Sequence, residues 1–100
     1  MKIIWTPEAK ETFNANIEFL LIEWGDRVTA DFLDRVDEVV SRIKSNPRLY
    51  PLVKREDQVH RCVVVKQISL YYRIVSDQQI DLIKFQESRV PKYLTLVEHA

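Results

Sequence analysis

The chain has 100 residues, of which 46% are hydrophobic and 30% charged, and its formal net charge at pH 7 is zero. This length fits one domain, residues 1–100, and the composition excludes a disordered or collagen-like chain. The neutral balance excludes a protein that is basic all over and binds nucleic acid through bulk charge, although it leaves room for a local basic patch.

The single cysteine, Cys62, has no partner for an internal disulfide, and its valine neighbours predict a small buried side chain rather than a nucleophile. The N-terminal segment MKIIW runs directly into the polar stretch TPEAKET, unlike a signal peptide. No apolar run approaches the length of a membrane span. We therefore predict a cytoplasmic protein without membrane contact.

The N-terminal half predicts a strand and two helices. Lys2–Trp5 is a short apolar strand, after which Thr6 and Pro7 supply a hydroxyl cap and a proline at the first helical position. Gly25, the only glycine, lies where a helix C-cap requires positive φ, and we expect Asp26 to cap the next helix. Helical spacing defines one apolar stripe on the first helix: Phe13, Ile17, Leu20, Leu21 and Trp24.

The second helix has the clearer amphipathic pattern and ends at Asn46-Pro47. Its apolar face consists of Val28, Phe32, Leu33, Val36, Val39, Val40 and Ile43. Charged residues of both signs occupy the opposite face, which is typical of a solvated surface rather than an acidic binding site. Residues from Pro7 to Asn46 are therefore predicted to form an antiparallel helical hairpin.

The C-terminal half predicts a loop, NPRLYPLVKREDQ, and three strands: Val59–Val65, Ile68–Val75 and Gln79–Gln86. The middle strand alternates between two faces, one with Leu70, Tyr72 and Ile74, the other with Ser69, Tyr71 and Arg73. In the last strand, the apolar side chains Ile80, Leu82 and, past Ile83, Phe85 alternate with Asp81 and Lys84.

These elements predict an α+β fold in the order β-α-α-β-β-β. The helical hairpin packs on one face of a small, mostly antiparallel sheet. The N-terminal strand joins this sheet beside the last strand or the middle one. The other face of the sheet then stays uncovered.

Charge divides unevenly between the two halves of the chain. Up to Asn46 there are six basic and nine acidic residues, whereas from Pro47 onward there are nine basic and six acidic. An open sheet face with arginines, lysines and tyrosines can bind phosphate, stack bases or bind an acidic protein, although exposed charges on strands are also ordinary.

Most catalytic templates are missing, because the chain has two histidines and one glycine. We expect no metal and no cofactor. The residue types do permit metal-free RNA cleavage, in which cations stabilise the phosphate charge and a phenol transfers a proton. An unperturbed phenol, with a pKa of about 10, is a poor base at neutral pH. The side chains available for this chemistry are Arg61, Lys66, Arg73, Arg89 and Tyr93.

Four segments in order resemble the RelE/ParE superfamily of bacterial toxins from type II toxin–antitoxin pairs: IIWTPEAKETF, IKSNPRLYP, VHRCVVVKQISLYYRIV and IDLIKFQESRVPKYL. The resemblance covers nearly the full chain and lies in the order, spacing and short total length. It implies an α+β fold of the kind described, a cytoplasmic toxin, and a tightly bound cognate antitoxin, typically encoded beside it.

The resemblance also implies one of two mechanisms. RelE-like members cut mRNA on the ribosome, whereas ParE-like members bind and trap DNA gyrase. The RelE-like branch carries an arginine before a Leu-apolar-Tyr stretch, where this chain has Ser69 before Leu70. Arg89 matches an arginine after the last strand and Tyr93 a later tyrosine, but RelE-like chains are strongly basic. The resemblance therefore favours the ParE-like branch.

The leading prediction is a toxin that poisons gyrase by protein binding, without sequence-specific DNA binding by this chain alone. Its predicted contact residues are Arg61, Arg73, Arg89, Lys92 and Tyr93. The alternative is a ribosome-dependent mRNA endonuclease, in which three cations hold phosphate and Tyr93 transfers a proton. Those cations are Arg61, Lys66 and Arg89. A second alternative is a non-toxic module that only binds its partner.

Overall fold

The computed structural model describes residues 1–88, which contain two helices and five strands. In chain order these are β1 (Lys2–Trp5), α1 (Pro7–Glu23), α2 (Asp26–Ser45), β2 (Leu52–Lys54), β3 (Val59–Val65), β4 (Ile68–Ser76) and β5 (Gln79–Glu87). The strands form one sheet in the order β1-β5-β4-β3-β2, in which β1 is parallel to β5 and the other pairs are antiparallel. The predicted α+β fold is confirmed, with β1 beside the last strand. Neither helix is long and apolar enough to cross a bilayer.

The segment NPRLYPLVKREDQ is not entirely a loop, because it contains β2. Leu52 pairs with His60 and Lys54 with Val59, and the register shifts between them. All three residues of β2 are exposed. The segment therefore lacks the alternation of buried and exposed side chains that identifies a strand from its sequence. Pairing with β3, which lies later in the chain, is what makes this segment a strand.

The helical hairpin begins and turns largely as predicted. The Thr6 Oγ1 atom accepts a hydrogen bond from the Ala9 N–H at 3.1 Å, and Gly25 has a φ of 87°. The prediction that Asp26 caps α2 is wrong. Gly25 is the N-cap, and Asp26 is the first helical residue, where a carboxylate still interacts favourably with the helix dipole.

The core lies between the helical hairpin and one face of the sheet. Its centre is a group of four rings, in which five of the six pairs have centroids 5.2 to 6.0 Å apart: Trp5, Phe13, Phe32 and Phe85. Two members of the predicted apolar stripes are exposed instead, Leu21 by 46% and Leu33 by 39%. Each apolar stripe is wider than the part of its helix that packs against the core. Leu21 and Leu33 lie at the border of their stripes and therefore stay exposed.

Helix α1 completes the hydrogen bonding of β5 where β1 ends. The ladder between β1 and β5 stops at Leu82. Beyond it, Thr12 Oγ1 accepts from the Phe85 N–H at 2.9 Å, and Asn16 Nδ2 donates to the Phe85 carbonyl at 3.0 Å. Thr6 Oγ1 donates towards the Leu82 carbonyl at 2.8 Å. Polar side chains of α1 therefore take the place of a neighbouring strand.

A one-residue irregularity in β5 sets the register of the sheet. Tyr71 opposes Lys84, whereas Tyr72 opposes Leu82, so Ile83 is the extra residue of a β-bulge. Phe85 consequently returns to the buried face, as predicted from the apolar pattern past Ile83.

Replacing Asn16 with alanine should destabilise the fold by about 1–3 kcal/mol, because the Phe85 carbonyl would lose its donor inside the protein. Urea unfolding followed by circular dichroism measures this change. The matched control is Asn14→Ala, an exposed asparagine of the same helix, expected within about 0.5 kcal/mol of wild type. Equal free energies of unfolding in the two variants would contradict the role assigned to Asn16.

Candidate functional site

The sheet face opposite the helices, called the open face below, carries three rows of side chains. Strand alternation and cross-strand register place their members. The first row contains Ile4, Asp81, Arg73 and Val59. The central row contains Arg61, Tyr71 and Lys84, and the third contains Val63, Ser69 and Gln86.

The central row places a tyrosine between two cations. Arg61 opposes Tyr71 across β3 and β4, and Tyr71 opposes Lys84 across β4 and β5. The Lys84 Nζ atom lies 5.3 Å from the centroid of the Tyr71 ring, within the range of a cation–π interaction. Arg61 is exposed and its guanidinium has no hydrogen bond or ion pair within residues 1–88. The row therefore offers one unengaged cation and one held against a ring.

Two other cations on or beside the open face are accompanied by carboxylates. Lys54 Nζ lies 2.7 Å from Asp57 Oδ2, and the hydrogen bond and charge of Lys54 lower the pKa of Asp57. The Arg73 guanidinium adds a smaller effect in the same direction, and Arg73 also opposes Asp81 across the strands. Among residues 1–88, the positive charge of the open face is therefore concentrated in the central row.

Apolar side chains surround the central row. Val63 is 54% exposed and Val53 50% exposed, while Val59 and Ile83 are half-buried. A shallow depression of about 450 Å³ is lined by Val53, Lys54, Asp57, Val59, Tyr71, Arg73, Ile83, Lys84 and Gln86. Exposed aliphatic, tyrosine and arginine side chains together are typical of surfaces that bind other proteins.

The residues predicted from the sequence are distributed over different parts of the chain. Arg61 and Arg73 lie on the open face in adjacent rows. Lys66 lies in the turn between β3 and β4, roughly 15 Å along the strand from Arg61. The remaining predicted contacts, Arg89, Lys92 and Tyr93, lie outside the described residues, so their place relative to the open face stays a prediction.

Tyr71 and Lys84 were not among the predicted contact residues. Alternation alone places Tyr71 on the same face as Arg73, and Lys84 on the polar side of the last strand. The linear pattern does not show that they are cross-strand neighbours, because the bulge at Ile83 sets that pairing.

Two buried residues of the core, Tyr72 and Cys62, have raised pKa values. Burial raises the pKa of Tyr72, whose hydroxyl donates to the Pro47 carbonyl at 2.7 Å. Cys62 is buried, as predicted, and burial raises the pKa of its thiol. The His60 ring stacks on Tyr72, and its Nδ1 lies 2.7 Å from the Tyr50 carbonyl oxygen. These contacts attach the segment after α2 to β3 and β4.

Within residues 1–88 no cluster of three or more His, Cys, Asp or Glu side chains could hold a metal ion.

The fold defined by these elements is that of a small RelE/ParE-like toxin, and several solved structures share it. A YoeB/ParE toxin from Agrobacterium tumefaciens is 18% identical, with a TM-score of 0.62 over 88% of this chain and 99% of that one. A chain of the chromosomal ParDE toxin–antitoxin system from P. aeruginosa is 15% identical, with a TM-score of 0.61 over 89% of this chain and 97% of that one. At these identities the likeness establishes the fold alone.

The family follows from the sequence match. The family model of the ParE toxin of the type II toxin–antitoxin system parDE matches residues 3–89. Because this match spans most of the chain, the protein belongs to the ParE toxin family, and a toxin of this family has a cognate antitoxin as its partner. No curated protein matches the chain.

Replacing Lys54 with methionine should raise the pKa of Asp57 towards its ordinary value of 3.8, because Lys54 is the main cause of the lowered pKa. An NMR titration of the side-chain carboxyl group measures this shift. Since the folded-state pKa of Asp57 is below the unfolded one, the pair favours folding above the unfolded pKa, and this effect is lost as pH falls through the folded pKa.

The control for this titration is Lys44→Met, which removes an exposed lysine of α2 and should leave the pKa of Asp57 unchanged. An unchanged pKa in Lys54→Met would mean that the ion pair is not formed in solution and that Lys54 is a free cation of the open face.

Proposed function

We propose that the protein inhibits DNA gyrase by binding it through the open face, without catalysis of its own. The observation that carries this proposal is that exposed valines, a tyrosine and an arginine without a side-chain partner in residues 1–88 lie together on the sheet face opposite the helices. Such a surface gains free energy by burying apolar area against another protein and uses its polar groups for specificity. Gyrase is the target implied by the resemblance to ParE-like toxins, and the ParE family match supports that branch.

The predicted contact residues differ in how readily their charges can pair with a partner protein. Within residues 1–88 the Arg61 guanidinium has no ion pair, whereas the charge of Arg73 is offset by Asp57 and Asp81. We therefore rank Arg61 above Arg73. Arg89 and the two further tail residues, Lys92 and Tyr93, are proposed to extend the contact area.

The proposal places the toxin in the cytoplasm, where gyrase acts on DNA, and its cognate antitoxin keeps it inactive. Binding to gyrase rather than to DNA itself is the expected first step, since the described face combines its cations with aliphatic side chains and carboxylates.

A supercoiling assay with purified protein, purified gyrase, ATP and relaxed plasmid tests the proposal. We expect inhibited supercoiling or an accumulation of cleaved DNA. Full supercoiling in the presence of folded toxin and active gyrase would contradict it. Cleavage of translated mRNA within codons, mapped in a translation reaction, would instead support the ribosome-dependent nuclease. Normal growth on expression without the antitoxin would support the non-toxic binding module.

Replacing Val63 with glutamate should weaken gyrase inhibition about 10- to 100-fold, because the variant buries a carboxylate in a contact made by an aliphatic side chain. The half-inhibitory toxin concentration in the supercoiling assay measures this effect. The control is Ile22→Glu, an equivalent change at a residue of α1 that is 76% exposed. Thermal melts should show both variants folded, and equal loss of inhibition in the two would exclude the open face as the docking surface.

A further inference from the structure

The central row of the open face combines two cationic side chains with one aromatic ring. Arg61, Tyr71 and Lys84 lie side by side on three adjacent strands. Because neighbouring strands are about 4.8 Å apart, the two cations stand about 10 Å from each other at their Cα atoms, with the tyrosine between them. Two positive groups therefore flank one aromatic ring.

We propose that this row binds an acidic segment of the target protein. Its carboxylates pair with Arg61 and Lys84, and an apolar side chain between them packs on Tyr71 and Val63. This inference rests on the proposed function and adds the chemistry of the partner segment and the residues that recognise it.

Each side chain of the row is suited to that role. The guanidinium of Arg61 is exposed and unengaged within residues 1–88, so all its donors are available for a bidentate carboxylate contact. Lys84 is already held near the Tyr71 ring, at 5.3 Å, so it loses less side-chain freedom on binding than a fully mobile lysine. Tyr71 offers a rigid surface of the kind that dominates binding energy in protein interfaces.

The carboxylates of the open face restrict where the acidic segment can lie. On the first-row side of the central row, Asp81 and Asp57 offset the charges of Arg73 and Lys54, so that side offers an acidic chain no excess of positive charge. In the third row Val63 and Gln86 are exposed, whereas Ser69 between them is buried. The segment therefore lies along the central row and contacts the exposed Val63 and Gln86 beside it.

The same features favour a protein over a nucleic acid. Interfaces with DNA are much more positively charged than protein interfaces, and phosphates gain nothing from Val63 or Ile83. An acidic protein segment can use both the cations and the aliphatic side chains. Nucleic acid binding is the competing outcome of the test.

Binding of the full-length toxin to purified gyrase should be measured at about 0.05 M and about 0.3 M salt, because screening weakens exposed charge pairs. We expect the affinity to fall at the higher salt concentration. Arg61→Glu and Lys84→Glu should each weaken binding about 30-fold or more at low salt, since each replaces an attraction by a repulsion. Tyr71→Ala should cost about 30-fold at both salt concentrations.

Arg27→Glu, which reverses an exposed cation of α2, is the matched control and should bind like wild type. Thermal melts establish that all variants are folded, and Arg61→Gln provides a milder second variant that removes the charge without reversing it. We expect Arg61→Gln to lie between wild type and Arg61→Glu in affinity.

The outcomes separate this inference from the proposed function. If gyrase binds equally at both salt concentrations and Arg61→Glu matches Arg27→Glu, the central row is not the binding site, although the proposed function stands. If gyrase does not bind at either salt concentration, the proposed function fails. Salt-dependent binding of a labelled 20-nucleotide single strand that Arg61→Glu abolishes, without gyrase binding, would assign the row to nucleic acid and overturn the protein partner.

Discussion

The attachment of α1 to β5 is the constraint on which the rest of the structure depends. β5 lies between β1 and β4, and its edge on the β1 side is completed beyond Leu82 by Thr12 and Asn16 of the helix. Backbone groups in the interior have to be paired, so α1 cannot slide along the strand without leaving the Phe85 peptide groups unsatisfied. That position brings Phe13 onto Phe85 and thereby defines the ring cluster against which α2 packs.

The attachment of α1 to β5 also affects the open face, because the register of the sheet decides which side chains lie there. With both helices on one side, every second residue of the strands faces away from the core. The bulge at Ile83 then lets Phe85 stay buried while Lys84 comes opposite Tyr71. Because Asp81 and Asp57 offset the neighbouring cations, the positive charge of this face is concentrated at Arg61 and Lys84. A protein of zero net charge can thus present a cationic row without being basic overall.

The fold alone does not decide between the two toxin mechanisms, since one architecture can carry unrelated activities. What distinguishes them physically is the type of surface. Hydrolysis needs a positioned acid and base, whereas poisoning an enzyme by binding needs apolar area and complementary charge. The proposal of gyrase binding rests on the second set, because the exposed Val63 lies next to Arg61 and Tyr71 on the described part of the open face.

The sequence by itself determined the elements whose signals are local: the helix start at Thr6-Pro7, the turn at Gly25, the three alternating strands, and hence the fold class. The tertiary structure alone decided the rest. β2 exists because β3 pairs with it, and Leu21 and Leu33 are exposed because neither lies under a covering surface. The Arg61–Tyr71–Lys84 row likewise depends on pairing between three strands and on a bulge. Caps and periodicity act within a few residues, whereas strand partners, register and coverage depend on residues far apart in the chain.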